Sequence, residues 1–406
     1  MGKLDASSAS LGRKIAFHRA RRGLSQRDFG AIIDRSETWV SQVERGERRI
    51  DRMTVLRQVA EGLDVPLGEL AADTPILAEA SSRPAPASAL RMLLSSSLTL
   101  SLAVAPPATS VPLAELREHA ERAWRLAHAA EYDELFPLLT DLLPQAEATV
   151  RLARGGASKQ AFRILARVYH AAAAALVKLN ELSAAWVAAD RAIAAAERAG
   201  DRLLMGEGIF RLTLVFQAGR QYEQAEHAAS TGIEALEAIA RAGVKEAISL
   251  QGALHLQLAI LASRQNLAEQ AVERLRLARV AARRLGEDRN DYDTEFGPTN
   301  VAIYEVAVAV ELGDAGTALR VAAAIDATNL SAERQGRLRL DVARAHLQRR
   351  NPGGALAALL DAERVTPEQT RSHWITRNLL QDLDRTAQGR DPRVRELMER
   401  CRIVAQ

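Results

Sequence analysis

Six times along this chain a short polar turn leads into a helical run built around compact residues. That recurrence leaves stacked helix pairs as the natural fold. The turns are AEYDEL, LNELSAA, GRQYEQA, RQNLAEQA, LGDAGTA and RNPGGALA. Aligning the runs that follow puts Leu135, Ala185, Ala225, Ala271, Ala318 and Ala355 in register, spaced 50, 40, 46, 47 and 37 residues apart. A small residue returns seven positions later at Ala192, Gly232, Ala278 and Ala362. Residues seven apart share a helix face, and two small side chains there let neighbouring helices approach closely. Aromatic residues make up only 4% of the chain and no period-two pattern stands out, so sheets are disfavoured. The expected fold class is all-α.

The repeat resembles the tetratricopeptide repeat, whose period is 34 residues. The last copy carries the likeness best, with Ala355, Ala362 and Pro367 at the two alanines and the terminal proline of that motif. The resemblance implies a right-handed α-solenoid of six helix pairs with a concave inner surface, capped by the residues after Arg371. An irregular helical bundle is the alternative.

Three segments are expected. Residues 1–72 form a compact helical unit. Residues 73–111 form a linker rich in Ser, Pro and Ala, with one short helix from Ala87 to Leu94. Residues 112–406 hold the repeats. The stretch from Met92 to Ala105 is too short and polar to span a bilayer, and MGKLDASSAS lacks the apolar core of a signal peptide. The single cysteine, Cys401, excludes a disulfide framework and a thiolate-rich zinc site. A cytoplasmic, nucleoid-associated protein is expected. Only 5 of the 54 basic residues are lysine, which with the abundant alanine suggests a GC-rich, actinobacterial genome.

The net charge is only +3, so any nucleic-acid footprint is local. Residues 11–64 supply one, with twelve basic and eight acidic side chains. Within it, Ser25 is a good N-cap and Asp28 can complete a capping box. Phe29, Ile32 and Ile33 form an apolar face, and Asp34 and Arg35 a tight turn. Ser36 caps a second helix with Trp39, Val40 and Val43 inward and Glu37, Thr38, Ser41 and Gln42 outward. Two short helices joined so tightly must cross, which leaves the second one prominent enough for a major groove.

The segment LSQRDFGAIIDRSETWVSQVERGERRI, Leu24 to Ile50, resembles the helix-turn-helix of the XRE family, the Cro and lambda repressor class. The resemblance implies a five-helix domain in which Thr38, Ser41 and Gln42 read bases, Glu37 sits at the helix start, and Gln26 meets a backbone phosphate. Arg45, Arg48 and Arg49 follow the recognition helix, where side chains reach phosphates. With Arg27 and Ser36, these ten residues are the expected DNA contacts. Asp34 stands where the family often has glycine; aspartate tolerates positive φ better than most residues.

A helix-turn-helix joined to such repeats resembles the peptide-pheromone receptor regulators of Gram-positive bacteria. The resemblance implies that the concave surface binds a signalling ligand, a short peptide or a small molecule, and so modulates operator binding. Counting back nineteen from each aligned alanine turns Arg167, His170 and Lys178 inward, then Glu207, Phe210 and Gln217. Leu256, Ser263 and Arg264 follow, then Asn300 and Ile303, then Arg337 and Arg344. Ligand contacts are expected from Arg167, His170, Glu207, Phe210, Arg211, Gln217, Asn300 and Tyr304. Asn300 offers a donor and an acceptor to a peptide backbone, or else bonds within its own turn. Trp124 and Trp186 read as core fillers.

No GxxxxGK[ST], GxGxxG or HExxH motif occurs, and the eight histidines show no ligand spacing. The expectation is a regulator, not an enzyme, with no cofactor and no metal. Its partners are double-stranded operator DNA, a second copy of itself and an effector, with no membrane. The alternative is a DNA-binding head carrying a scaffold that recruits another protein.

Overall fold

The computed structural model describes residues 6–22, 24–48, 50, 53–65, 70, 85–95, 111–384 and 386–403. Among them the chain is helical, and the only strand-like contact is an isolated bridge between Arg289 and Phe296. Contacts divide the chain into two units, residues 1–83 and 84–406.

The first unit contains α1 (Ala6–Arg21), α2 (Gln26–Ile32), α3 (Glu37–Glu44) and α4 (Met53–Leu63). Leu70 is helical and buried; the rest of the expected fifth helix lies outside the described residues. The core joins Ile15, Phe29, Ile33, Val40, Val43, Val59 and Leu63. Ile32 departs from the sequence reading. It is 50% exposed, because Phe29 and Ile33 already fill the face of α2 that meets the core.

The second unit begins with α5 (Ala85–Ser95), within the stretch read as linker. Its Ala87, Leu90 and Leu94 are buried with Leu116, Leu139 and Ala188. The pairs follow: α6 (Leu113–Ala129) with α7 (Tyr132–Leu152), α8 (Gly156–Lys178) with α9 (Leu182–Ala199), and α10 (Arg202–Ala218) with α11 (Tyr222–Arg241). Next come α12 (Lys245–Arg264) with α13 (Ala268–Leu285), α14 (Pro298–Glu311) with α15 (Ala315–Ala322), and α16 (Ala332–Gln348) with α17 (Pro352–Val365). The cap is α18 (Pro367–Ser372), α19 (Trp374–Asp384) and α20 (Pro392–Arg400), whose Leu380, Val394 and Leu397 share a core with Leu340 and Leu359.

The six turns have one design. Each contains a left-handed residue, in order Ala130, Asn180, Arg220, Asn266, Gly313 and Arg350. The next amide then donates to the carbonyl five residues back, as Glu181 does to Leu176 at 3.0 Å and Asn351 to His346 at 2.9 Å. This 6→1 bond satisfies a carbonyl that the helix end would leave bare. All six aligned positions, from Leu135 to Ala355, are fully buried. At the five alanines the repeat is therefore a packing rule, a compact side chain where the partner helix passes closest, and Leu135 in the first pair is the exception.

The row of pairs returns on itself, with α16 packing against α6. Lys178 pairs with Glu333. The Glu368 carboxylate accepts from the amides of Tyr132 at 2.6 Å and Asp133 at 3.1 Å. The N-terminus of α7 has no side-chain cap of its own, so a carboxylate 236 residues away supplies one and complements the helix dipole.

Candidate functional site

In the first unit, local chemistry builds α3 as a presented helix. Ser25 Oγ accepts from the Asp28 amide at 3.1 Å while the Asp28 carboxylate accepts from Ser25, completing the capping box. Ser36 Oγ accepts from the Trp39 amide at 3.1 Å and starts α3. Between them Asp34 takes φ 51°, the left-handed turn that its short polar side chain tolerates. Arg35 stacks over the Trp39 ring at 5.8 Å.

Glu44 ties the three helices together. Arg19 from α1 donates to it at 2.6 and 3.0 Å, and Gln26 from the start of α2 donates at 2.7 Å. Gln26 thus spends one amide hydrogen on Glu44 and keeps its carbonyl oxygen. Arg27, Ser36, Glu37, Thr38, Arg45 and Arg48 are exposed, and Ser41 and Gln42 are half-buried on α3. Arg45 pairs with Glu47 at 3.0 Å. Arg49 lies outside the described residues.

Gly12 lets α1 approach the end of α3. A Cβ there would sit 2.4 Å from the Val43 carbonyl oxygen and 2.5 Å from that of Glu44. Backbone cannot yield as a side-chain tip can, so Gly12→Ala is expected to cost about 1–3 kcal/mol. The melting temperature should fall with it, and unchanged melting would contradict this close contact.

In the second unit, the inner faces of the first helices of the pairs converge on a cavity of about 170 Å³. That is similar to cavities of about 150 Å³ that admit one benzene-sized group. An apolar wall of Trp124, Ala174, Leu214, Ile260 and Ile303 meets polar side chains from α8, α10, α12, α14 and α16. A hydrogen-bond ladder crosses three pairs: Gln217 Nε2 donates to the Gln257 carbonyl at 3.1 Å, and Gln257 Nε2 to the Tyr304 hydroxyl at 2.7 Å.

The loop between α13 and α14 forms one rim. Its Tyr292, Asp293 and Glu295 have φ of 52°, 55° and 49°. Arg211, packed on the Trp124 ring at 4.7 Å, donates to the Asp293 carbonyl at 2.7 Å. The Asp293 carboxylate lies 3.1 Å from Arg167, and burial raises its proton affinity above the usual carboxylate range. Beneath the loop, His170 Nδ1 stands 2.8 Å from Glu207, both fully buried, and Glu207 lies 3.6 Å from Arg211. Burial works against the Glu207 charge, but His170, then Arg211 and Arg167, outweigh it and hold the carboxyl below its usual range.

Ion pairs at and behind the cavity join Asp293 to Arg167, Glu207 to His170 and Arg211, Glu295 to Arg334, Glu333 to Lys178, Asp341 to Arg337 and Arg344, and Glu311 to Arg344. Arg264 shares Glu311 with Arg344: its Nε lies 3.7 Å away, while Arg344 donates to that carboxylate at 3.1 Å.

Of the eight ligand residues expected from sequence, Arg211, Gln217 and Tyr304 line the cavity. Arg167, His170 and Glu207 form the charged layer behind it. Phe210 is placed elsewhere. It is 1% exposed in the core of the second unit, on the side of α10 turned from the cavity. Asn300 is also buried away from it, donating to the Glu295 carbonyl, so its amide fastens the loop. Counting back nineteen residues places Arg264 at the cavity, where it lies, but misplaces two other positions of α12: Leu256 and Ser263 are buried, whereas Gln257 faces the cavity. His128, Asp293, Glu295, Glu333 and Arg334 also line it and escaped the sequence reading. The loop residues among them follow no helical period. Trp124 serves both purposes, buried and at the wall.

Two features define the kind of protein this is: a helix-turn-helix head and a closed row of helix pairs around a charged cavity. Residues 10–72 match the family described as "Helix-turn-helix domain". No curated protein matches the sequence. Among solved structures, the chain is similar to a Rap protein complexed with Competence and Sporulation Factor, at 10% identity and TM-score 0.48, over 89% of this chain and 100% of that one. It is similar to PlcR of Bacillus thuringiensis in complex with the peptide PapR7 and DNA, at 14% identity and TM-score 0.31, over 74% and 99%. It is also similar to aspartyl phosphate phosphatase F of Bacillus subtilis, at 14% identity and TM-score 0.44, over 90% and 95%. Among the described residues, no helix is long and apolar enough to cross a membrane.

Proposed function

We propose that the chain is a sequence-specific transcription regulator whose repeat unit binds a signalling ligand in the cavity and thereby changes operator binding. The observation that carries the reading is the pairing of α3, with its exposed polar face, and a cavity whose wall holds an apolar patch beside polar groups from five helices. Small-ligand sites have this make-up of apolar lining and few convergent polar groups.

Thr38, Ser41 and Gln42 are the proposed base readers. Gln26, Arg27, Arg45, Arg48 and Arg49 are the proposed phosphate contacts, with Ser36 and Glu37 at the helix start. A homodimer is proposed, because one recognition helix reads few bases and paired heads dock on half-sites roughly 34–36 Å apart. Gln42→Ala and Thr38→Ala should each cost about 1–3 kcal/mol on the operator and little on random DNA. Arg48→Ala should weaken both and lower the salt dependence. Equal loss on random DNA from all three would contradict these roles.

The test of the whole reading starts with genome-wide mapping of bound DNA to find the operator. Operator affinity is then titrated with and without extracts of the source culture. A shift in affinity supports ligand control. Operator binding that no extract alters supports a scaffold instead.

A further inference from the structure

We infer that Arg264 is a subsite for a carboxylate, carried next to an amide N–H by the ligand that occupies the cavity. This rests on the ligand-binding reading above and deepens it. The first observation is charge balance. Three guanidiniums, Arg337, Arg344 and Arg264, stand around two carboxylates, Asp341 and Glu311, and Arg264 is the one with no hydrogen bond to either among the described residues. Its Nε lies 3.7 Å from Glu311, beyond hydrogen-bond reach, while Arg344 donates to that carboxylate at 3.1 Å. The charged groups facing Arg264 are Glu311, Arg337 and Arg344, two of them of its own sign, with the Tyr222 phenol alongside. The floor of the cavity therefore carries one positive charge too many.

The second observation is position, since the Arg264 side chain lines the cavity and opens to it.

One unbalanced charge suits a monoanion, and the planar guanidinium fork matches a carboxylate. A cavity of about 170 Å³ takes such a group with a short side chain. Also at the cavity, Gln217 and Gln257 each donate one amide hydrogen to the ladder. Among the described residues neither side-chain oxygen has a partner, so both are left as acceptors for an N–H. An N-acylated amino acid has this chemistry, as a free acid or as the C-terminal residue of a peptide.

The test uses the full chain and N-acetyl-alanine, with N-acetyl-alaninamide as the neutral control. Millimolar N-acetyl-alanine should raise the melting temperature of the wild type, and the amide should not. Arg264→Gln should weaken the acid by at least about tenfold, roughly 1.4 kcal/mol. Without ligand, Arg264→Gln should leave melting unchanged or raise it, because an unbalanced buried cation is removed. Arg344→Gln should lower it, because Glu311 loses its hydrogen-bond donor.

Overturning results are equal shifts by acid and amide, no shift by either, or a loss of stability in Arg264→Gln matching that in Arg344→Gln. The last would make Arg264 a structural partner of Glu311. N-acetyl-trialanine identifies the source: tighter binding than N-acetyl-alanine indicates a peptide terminus, equal or weaker binding a small acid, and both support the subsite. If culture extract shifts operator binding of wild type and Arg264→Gln alike, ligand control stands and the carboxylate subsite falls.

Discussion

Glu207→Ala is expected to lower the stability of the chain by about 3–5 kcal/mol, the usual result of removing one member of a buried ion pair. The carboxylate is fully buried, 2.8 Å from His170 and 3.6 Å from Arg211. Without it Arg211 keeps the Trp124 face and the carbonyls of Tyr292 and Asp293, but no carboxylate within the cluster except that of Asp293, already paired with Arg167. Glu207→Gln keeps the volume and should lose less. The sign with pH follows from the direction of the shift. The folded carboxyl is held below its usual value, so its contribution is fully present above the ordinary carboxylate range and is lost as pH falls through the folded value. The gap between wild type and Glu207→Gln, read by chemical denaturation at several pH values, should therefore narrow on acidification. A Glu207→Ala loss under about 1 kcal/mol would show that the cluster is solvated in solution.

Local rules account for what could be read in the sequence. Ser25, Asp28, Asp34 and Ser36 each act on backbone within a few residues, so their roles follow from spacing alone. The five compact positions were legible for a related reason, since a helix–turn–helix pair has one point of closest approach and only a small set of residues fits it. The cavity was only half legible. Arg211, Gln217 and Tyr304 face inward as the helical period requires, but a one-residue slip exchanged Leu256 for Gln257. Asn300 shows the deeper limit. Its amide suits a ligand backbone as well as it suits the Glu295 carbonyl, and the choice is made by a loop whose left-handed residues Tyr292, Asp293 and Glu295 carry no glycine signal. Ring closure was hidden too. Glu368 reads as one more exposed carboxylate until the chain brings it to the bare N-terminus of α7.

That same loop governs the second large effect. Phe296→Ala is expected to cost about 3–5 kcal/mol and to loosen the rim of the cavity. The ring is fully buried against α12 and needs Gly252 as its seat, because a Cβ there would lie 2.0 Å from the ring. Its carbonyl accepts from Arg289 at 2.9 Å, closing the loop's isolated bridge. Three non-glycine residues in the left-handed region cost about 1–3 kcal/mol each, and such strain persists only where surroundings enforce it. Arg211 enforces it from one side and Phe296 from the other. Truncating the ring should leave a void too apolar to hydrate, and it removes the anchor that keeps Asp293 and Glu295 at the rim. Two readouts separate these effects: the melting temperature reports the void, and proteolysis within residues 287–297 reports the loop. Phe296→Leu keeps much of the volume and should lose less by both measures. If Phe296→Ala melts lower but resists proteolysis as wild type does, the loop is held by its polar contacts to Arg211, Asn300, Ser331 and Arg334, and the ring serves only the core.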